Sequence, residues 1–221
     1  MGARTIPKNY RNVTGKLASG KNRRLVGFES MLEKDFYLLL EFDPEVASYE
    51  EQPVTLSYGA AIGRQYRYTP DVLVHYQPAT GVSSALCEVK YRSDLREHWT
   101  DYKAKFKAAH RYARLHDWCF RLITEREVRT PRLDNARFLR HYRDQAVDVQ
   151  DQALVFSTLQ RLPEPTPETL MSACSGERCR QASLIPVLWH LVANHRIGAE
   201  LNTPLTMQSP LWCVPGQPPC P

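Results

Sequence analysis

The residues best suited to chemistry lie in YTPDVLVHYQPATGVSSALCEVKYR, residues 68–92, where Pro70-Asp71 is followed by Glu88-x-Lys90. The carboxylates are 88 − 71 = 17 positions apart, enough for a short hairpin. Asp71 begins one strand and Glu88 nears the end of the next, so antiparallel pairing places both at one sheet edge. Lys90 shares the face of Glu88, because two steps along a strand restore direction. Two carboxylates, joined by another from a helix, make a hard oxygen donor set suited to Mg2+, with Mn2+ as a substitute. Such an ion polarises a phosphodiester and lowers the pKa of bound water. The lysine ammonium can then orient that water or offset charge on the phosphorane transition state. Glu-x-Lys alone occurs by chance in a chain of this size, and polar residues on the outside of a hairpin would also account for the pair.

The surrounding elements supply the context. FESMLEKDFYLLLEF sets Leu32, Phe36, Leu39 and Leu40 on one helical stripe, with Glu29 and Glu33 one turn apart beside it. Glu33, flanked by Leu32 and Phe36, is the acid the helix carries inward; Glu29 lies nearer the helix start, where an acid favours the dipole. ASYEEQPVTLSYG reads as a strand broken near Pro53. QYRYTPDVLVHYQ alternates in period two and turns through ATG into VSSALCEVKYR, a hairpin. From Ser93 or Asp94 as N-cap, a long helix to Asp117 buries Trp99, Tyr102, Phe106, Ala109, Tyr112 and Ala113. WCFRLITE follows as a strand and RTPRLDNARFLRHYRD as another helix, so the order is that of an α/β layer with a mixed sheet. Beyond residue 145, three short helices and a β-hairpin predict a small winged-helix-like domain. The organisation expected is a basic arm over 1–24, the α/β domain over 25–144, the helical domain over 145–210 and a Pro-rich tail over 211–221.

The chain has 221 residues and a net charge of +5, which makes a polyanion partner plausible. Arg4, Lys8, Arg11, Lys16, Lys21, Arg23 and Arg24 crowd the first 24 residues with no acid among them. Of these, Lys16, Lys21, Arg23 and Arg24 fit a phosphate-gripping, DNA-contacting arm as well as a merely solvated one. Lys103, Lys105, Lys107, Arg111 and Arg114 on the long helix are expected to contact DNA backbone. Cys87 and Cys119 read as small core residues. The spacings of Cys174, Cys179, Cys213 and Cys220 miss the zinc-knuckle pattern, and the histidines form no ligand cluster. No apolar run is long enough for a membrane helix and no signal-peptide pattern opens the chain, so a cytoplasmic protein without membrane partners is expected.

The segments NVTGKLASGKN, FESMLEKDFYLLLEFDPEVASYEEQP, YTPDVLV, CEVKYR and WCFRLITEREV, spread over residues 10–128, resemble the PD-(D/E)xK nuclease superfamily. More narrowly they resemble TnsA, the endonuclease subunit of Tn-seven-like heteromeric transposases. The resemblance implies a restriction-endonuclease-like fold, with Glu33, Asp71 and Glu88 as catalytic, metal-binding acids and Lys90 as the catalytic lysine. Some relatives carry Gln at the third acid position. It further implies double-stranded transposon ends as substrate, cut at their 5′ ends while an integrase-type transposase, TnsB, processes the 3′ ends. An AAA+ ATPase, TnsC, would contact the C-terminal domain. A non-catalytic DNA-binding adaptor that keeps the nuclease fold, or a stand-alone restriction or repair nuclease, are the competing functions.

Overall fold

The computed structural model describes residues 13–60 and 64–215. Arg4, Lys8 and Arg11 of the expected arm, and the last residues of the expected Pro-rich tail, lie outside them. Two compact units are present, one running to Arg129 and the other from Thr130.

The first unit opens with an antiparallel pair, β1 (Gly15–Ser19) and β2 (Arg24–Phe28). The part of the expected arm that is described is therefore a hairpin with apolar residues on one side: Leu17, Val26 and Phe28 are buried. Helix α1 (Met31–Phe42) follows, its start fixed by the Ser30 side chain, which accepts a hydrogen bond from the Glu33 N–H. The expected stripe is only partly the buried one. Leu32 and Leu40 are inside, but Tyr37 takes the central place, while Phe36 packs at the margin. Three acids of α1, Glu33, Asp35 and Glu41, are also buried.

Strand β3 (Val46–Glu51) ends before Pro53, as expected, and Gln52 takes a left-handed backbone with φ 46°. The next stretch departs from the sequence reading. β4 (Leu56–Ala60) and β5 (Arg64–Tyr68) pair with each other as a separate ribbon, and only after Thr69-Pro70 does β6 (Val72–Tyr76) join the main sheet. Pro70 cannot donate to a ladder, so the alternating run is cut in two. β6 turns through a short 3-10 segment, Pro78–Thr80, and a left-handed Gly81 into β7 (Ala85–Val89). The expected long helix is two: α2 (Arg92–Glu97) and α3 (Trp99–Leu115), broken at His98, with Tyr91 rather than Ser93 or Asp94 at the cap. β8 (Cys119–Ile123) and the short α4 (Glu125–Val128) complete the unit.

The main sheet has order β3-β6-β7-β8, antiparallel except for the parallel β7–β8 pair, which α2 and α3 bridge. It is the mixed sheet flanked by helices of the restriction-endonuclease-like class. Alternation divides its core. Val72, Val74, Ala85 and Cys87 face a cluster with Tyr37, Leu40 and the β1–β2 hairpin, whereas Leu73 and Leu86 face Phe106, Ala109 and Ala113 of α3.

The second unit comprises α5 (Pro131–Arg143), α6 (Val149–Leu159), α7 (Pro167–Cys174), α8 (Arg178–Ala193) and an antiparallel pair, β9 (Ile197–Ala199) with β10 (Leu211–Cys213). Two sequence expectations are corrected. Helix α5 belongs with this unit rather than with residues 25–144, because its buried Leu133, Ala136 and Leu139 pack on α8. Residues 211–213 form a strand rather than the start of an irregular tail. Asn135, 5% exposed, secures the segment between β9 and β10. Its amide donates to the carbonyls of Leu201 (2.9 Å) and Thr203 (2.7 Å), and its oxygen accepts from the Leu205 N–H (2.9 Å). Asn135→Ala orphans these backbone groups and should cost about 2–3 kcal/mol of stability, read by urea denaturation. A loss below about 0.5 kcal/mol would assign the segment's order to apolar packing instead.

Candidate active site

The register Val72↔Cys87, continued by one step, sets Asp71 opposite Glu88. The Val89 N–H donates to Asp71 Oδ2 at 2.7 Å, which fixes the carboxylate at the end of the β6–β7 ladder. Lys90 lies between the two acids, its Nζ 3.4 Å from Asp71 Oδ2 and 3.3 Å from Glu88 Oε1, with a further bond to the Val89 carbonyl at 3.2 Å. Asp71 and Glu88, expected at one sheet edge with Lys90 beside them, are thus both in contact with the Lys90 ammonium.

Glu88 is 1% exposed and both its oxygens are engaged. Oε2 accepts the Tyr68 hydroxyl at 2.6 Å. Oε1 faces two ammonium groups, Lys90 and Lys105, each at 3.3 Å. Lys105 was expected on the DNA-facing side of its helix. It stands instead on the buried side of α3, its Nζ 4.1 Å from the Tyr102 ring centre and 4.9 Å from that of Tyr68. The signal was present in the sequence: Lys105 lies at helical spacing from Tyr102 and Ala109, on the stripe rather than opposite it. Tyr68, in a run read as ordinary strand, was missed altogether.

Glu33 is 7% exposed but bonded at its own helix start: Oε2 accepts the Glu29 N–H (2.8 Å) and Oε1 the Ser30 hydroxyl (3.0 Å). It approaches from α1, which packs on the sheet face opposite α3, so no direct bond joins it to Asp71 or Glu88 among the described residues. Its charge is felt nonetheless at Lys90 and Asp71. Glu29 lies just before the helix, where its Oε1 accepts from the Gln52 amide at 3.0 Å.

The electrostatics are those of a crowded anionic corner. Burial, then the neighbouring Glu88 and, opposed by Lys90, Glu33, push the Asp71 carboxyl up to about 8. Burial raises the pKa of Glu33, opposed by the Glu29 N–H and the Ser30 hydroxyl. Burial works against a charged Lys90, but Asp71, Glu88 and Glu33 outweigh it and raise its pKa. Burial and then Glu88 raise that of Tyr68.

As the side chains stand, no group of three His, Cys, Asp or Glu among the described residues is arranged to hold a metal ion. The donor chemistry nevertheless fits a hard divalent cation. The acids offer carboxylate oxygens, Asp71 Oδ1 accepts no hydrogen bond among the described residues, and Asp71 bears a charge its surroundings oppose.

The cations expected to touch DNA divide. Lys16 and Arg23 are exposed. Lys21 instead donates to the carbonyls of Asp43 and Val46, and Arg24 pairs with Glu51. Lys103, Lys107, Arg111 and Arg114 are exposed and line a groove of about 880 Å3, whose floor includes Trp99, Phe106, Phe120 and Leu122. Among the described residues no helix is long and apolar enough to cross a membrane.

A family model described as TnsA-like endonuclease N terminal matches residues 43–125, and one described as TnsA endonuclease C terminal matches residues 127–201. Asp71, Glu88, Lys90 and Lys105 fall within the first match; Glu33 precedes it. The junction between the matches lies close to that between the structural units, well before the expected boundary at residue 144. No curated protein matches the sequence.

The Asp71 shift has a stability consequence. Its folded pKa of about 8 exceeds the ordinary 3.8, so between these values the folded chain keeps a proton that the unfolded chain has lost. The group's contribution to stability therefore falls as pH rises through that window. In EDTA at pH 8, Asp71→Asn should be more stable than wild type by about 1 kcal/mol, roughly 2–4 °C in Tm, and the gap should close at pH 5. Thermal denaturation at the two pH values checks this, and an equal gap at both would reject the repulsion.

Proposed function

Since the chain belongs to the TnsA-type endonuclease family of Tn-seven-like transposases, we propose that it is a metal-dependent DNA endonuclease that cuts the 5′ ends of a transposon. The observation that carries this reading is the contact of Lys90 with Asp71 and Glu88 at the end of the β6–β7 ladder. Adaptor function requires no such group of buried acids around an ammonium, and leaving them uncompensated would be costly.

Glu33, Asp71 and Glu88 are the residues that would hold Mg2+, or Mn2+ in its place, and a bound ion would supply hydroxide near neutral pH and polarise the phosphodiester. Asp71 is held by the Val89 N–H, so its free Oδ1 has a fixed place relative to the ladder. Lys90, its pKa raised between Asp71 and Glu88, stays an ammonium, which suits it to donate hydrogen bonds to a phosphate oxygen or to the attacking water rather than to accept a proton. Lys103, Lys107, Arg111 and Arg114 form an exposed basic row on α3 that can follow a DNA backbone, and Lys16 and Arg23 add exposed charge on the β1–β2 hairpin.

An integrase-type transposase, TnsB, would process the 3′ ends in the same assembly, and an AAA+ ATPase, TnsC, would dock on the C-terminal unit. Helix α8, in the place of a recognition helix for a winged-helix-like domain, supports a protein partner there. Its buried Leu184, Val187, Leu188, Trp189, Leu191 and Val192 serve the unit's core and leave few side chains to read bases.

In a reconstituted transposition assembly, Asp71→Ala and Lys90→Ala should each reduce 5′-strand cleavage by about 100-fold or more; both should still fold and assemble, Lys90→Ala with a lowered urea midpoint because it leaves Glu88 one ammonium short. Glu33→Gln should reduce it severely and raise the Mg2+ needed, with Glu29→Gln having a modest effect. Undiminished 5′ nicking by the Asp71 and Lys90 variants would reject the site, and loss in the Glu29 variant alone would move the helical ligand one turn earlier. The C-terminal segment is tested by capture: the isolated fragment should retain the ATPase and show no sequence-specific duplex binding. The converse pattern would make it the DNA reader.

A further inference from the structure

We propose that Lys105 is a positioning residue of this site, balancing the charge of Glu88 so that Lys90 remains shared between Glu88 and Asp71; the inference rests on the nuclease reading above. Glu88 is 1% exposed, and a carboxylate so buried needs a compensating cation at contact distance. Lys90 alone cannot meet the need, since it also serves Asp71 at 3.4 Å. Lys105 brings the second ammonium to Glu88 Oε1, at the 3.3 Å that Lys90 also keeps, so the buried Glu88 does not depend on Lys90 alone. Glu33 stands outside this exchange, bonded to its own helix start.

The placement of Lys105 is built rather than incidental. Its side chain is 15% exposed, whereas Lys103 and Lys107 on either side of it are exposed. Its ammonium lies against the rings of Tyr102, Tyr68 and Phe106, with centres at 4.1, 4.9 and 5.2 Å. Aromatic faces hold a cation in place while offering no countercharge, so its charge is directed to Glu88. Tyr68 serves twice, lending its ring to Lys105 and its hydroxyl to Glu88 Oε2. With Lys105 removed, the Glu88 charge falls entirely on Lys90 and draws it from Asp71.

The test is a double-mutant cycle on the metal-free full-length chain, with Lys105→Met keeping the aliphatic stem and Glu88→Gln removing the charge. Lys105→Met should lower the urea midpoint, and that loss should shrink to roughly a third or less when Glu88→Gln is also present. Additive losses would overturn the proposal by reducing Lys105 to packing. In the reconstituted assembly, Lys105→Met should lower kcat about tenfold with KM for DNA within about twofold of wild type, and Lys105→Arg should restore most of the loss. Lys103→Met should instead raise KM. A Lys105 variant that raises KM alone would make the residue a DNA contact and overturn its positioning role. A wild-type assembly that cuts no 5′ strand would refute the nuclease reading, while the metal-free cycle still decides whether Lys105 and Glu88 act as a pair.

Discussion

A sheet whose strands end in facing carboxylates must find positive charge for them, and the first unit is arranged around that constraint. Asp71 and Glu88 are brought opposite each other by the same register that pairs Val72 with Cys87, so their proximity is imposed by the ladder and cannot relax without breaking it. The Val89 N–H, the Lys90 ammonium and the Lys105 ammonium all converge there. The protein leaves Asp71 incompletely compensated, with burial and the neighbouring Glu88 pushing its carboxyl up to about 8 against the pull of Lys90.

The acids of α1 meet burial differently. Glu41 accepts bonds from the Ser19 hydroxyl, the Gly20 N–H and the Tyr49 hydroxyl, and so binds the β1–β2 hairpin, α1 and β3 into one body. Lys21 adds bonds to the carbonyls of Asp43 and Val46, just after α1 ends. Two of the cations that look like a phosphate-gripping arm in the sequence are therefore consumed in holding the hairpin and β3 in place: Lys21, and Arg24 through Glu51. Both faces of the sheet are thereby packed, with α1 and the hairpin on one and α3 on the other, and the candidate site lies where β6 begins and β7 ends.

What the sequence by itself determined is what depends on local chemistry. Helices α1, α5, α6, α7 and α8, the break at Pro53, the turn ending in Gly81 and the pairing of β6 with β7 follow from hydrophobic period and from Pro and Gly, which act within a few residues. The contact of Asp71, Glu88 and Lys90 was legible for the same reason, because one hairpin register and the alternation of a strand suffice to place all three. The two small ribbons were not, since only packing decides whether an alternating run continues in the main sheet or folds on a neighbour. The tertiary structure alone decided that α5 packs with α8, that Glu33 turns to its own helix start, and above all that Lys105 leaves the basic row of α3 for the buried Glu88. A lysine carries the same charge on either side of a helix; which side faces a desolvated carboxylate is set by how the helix lies across the sheet.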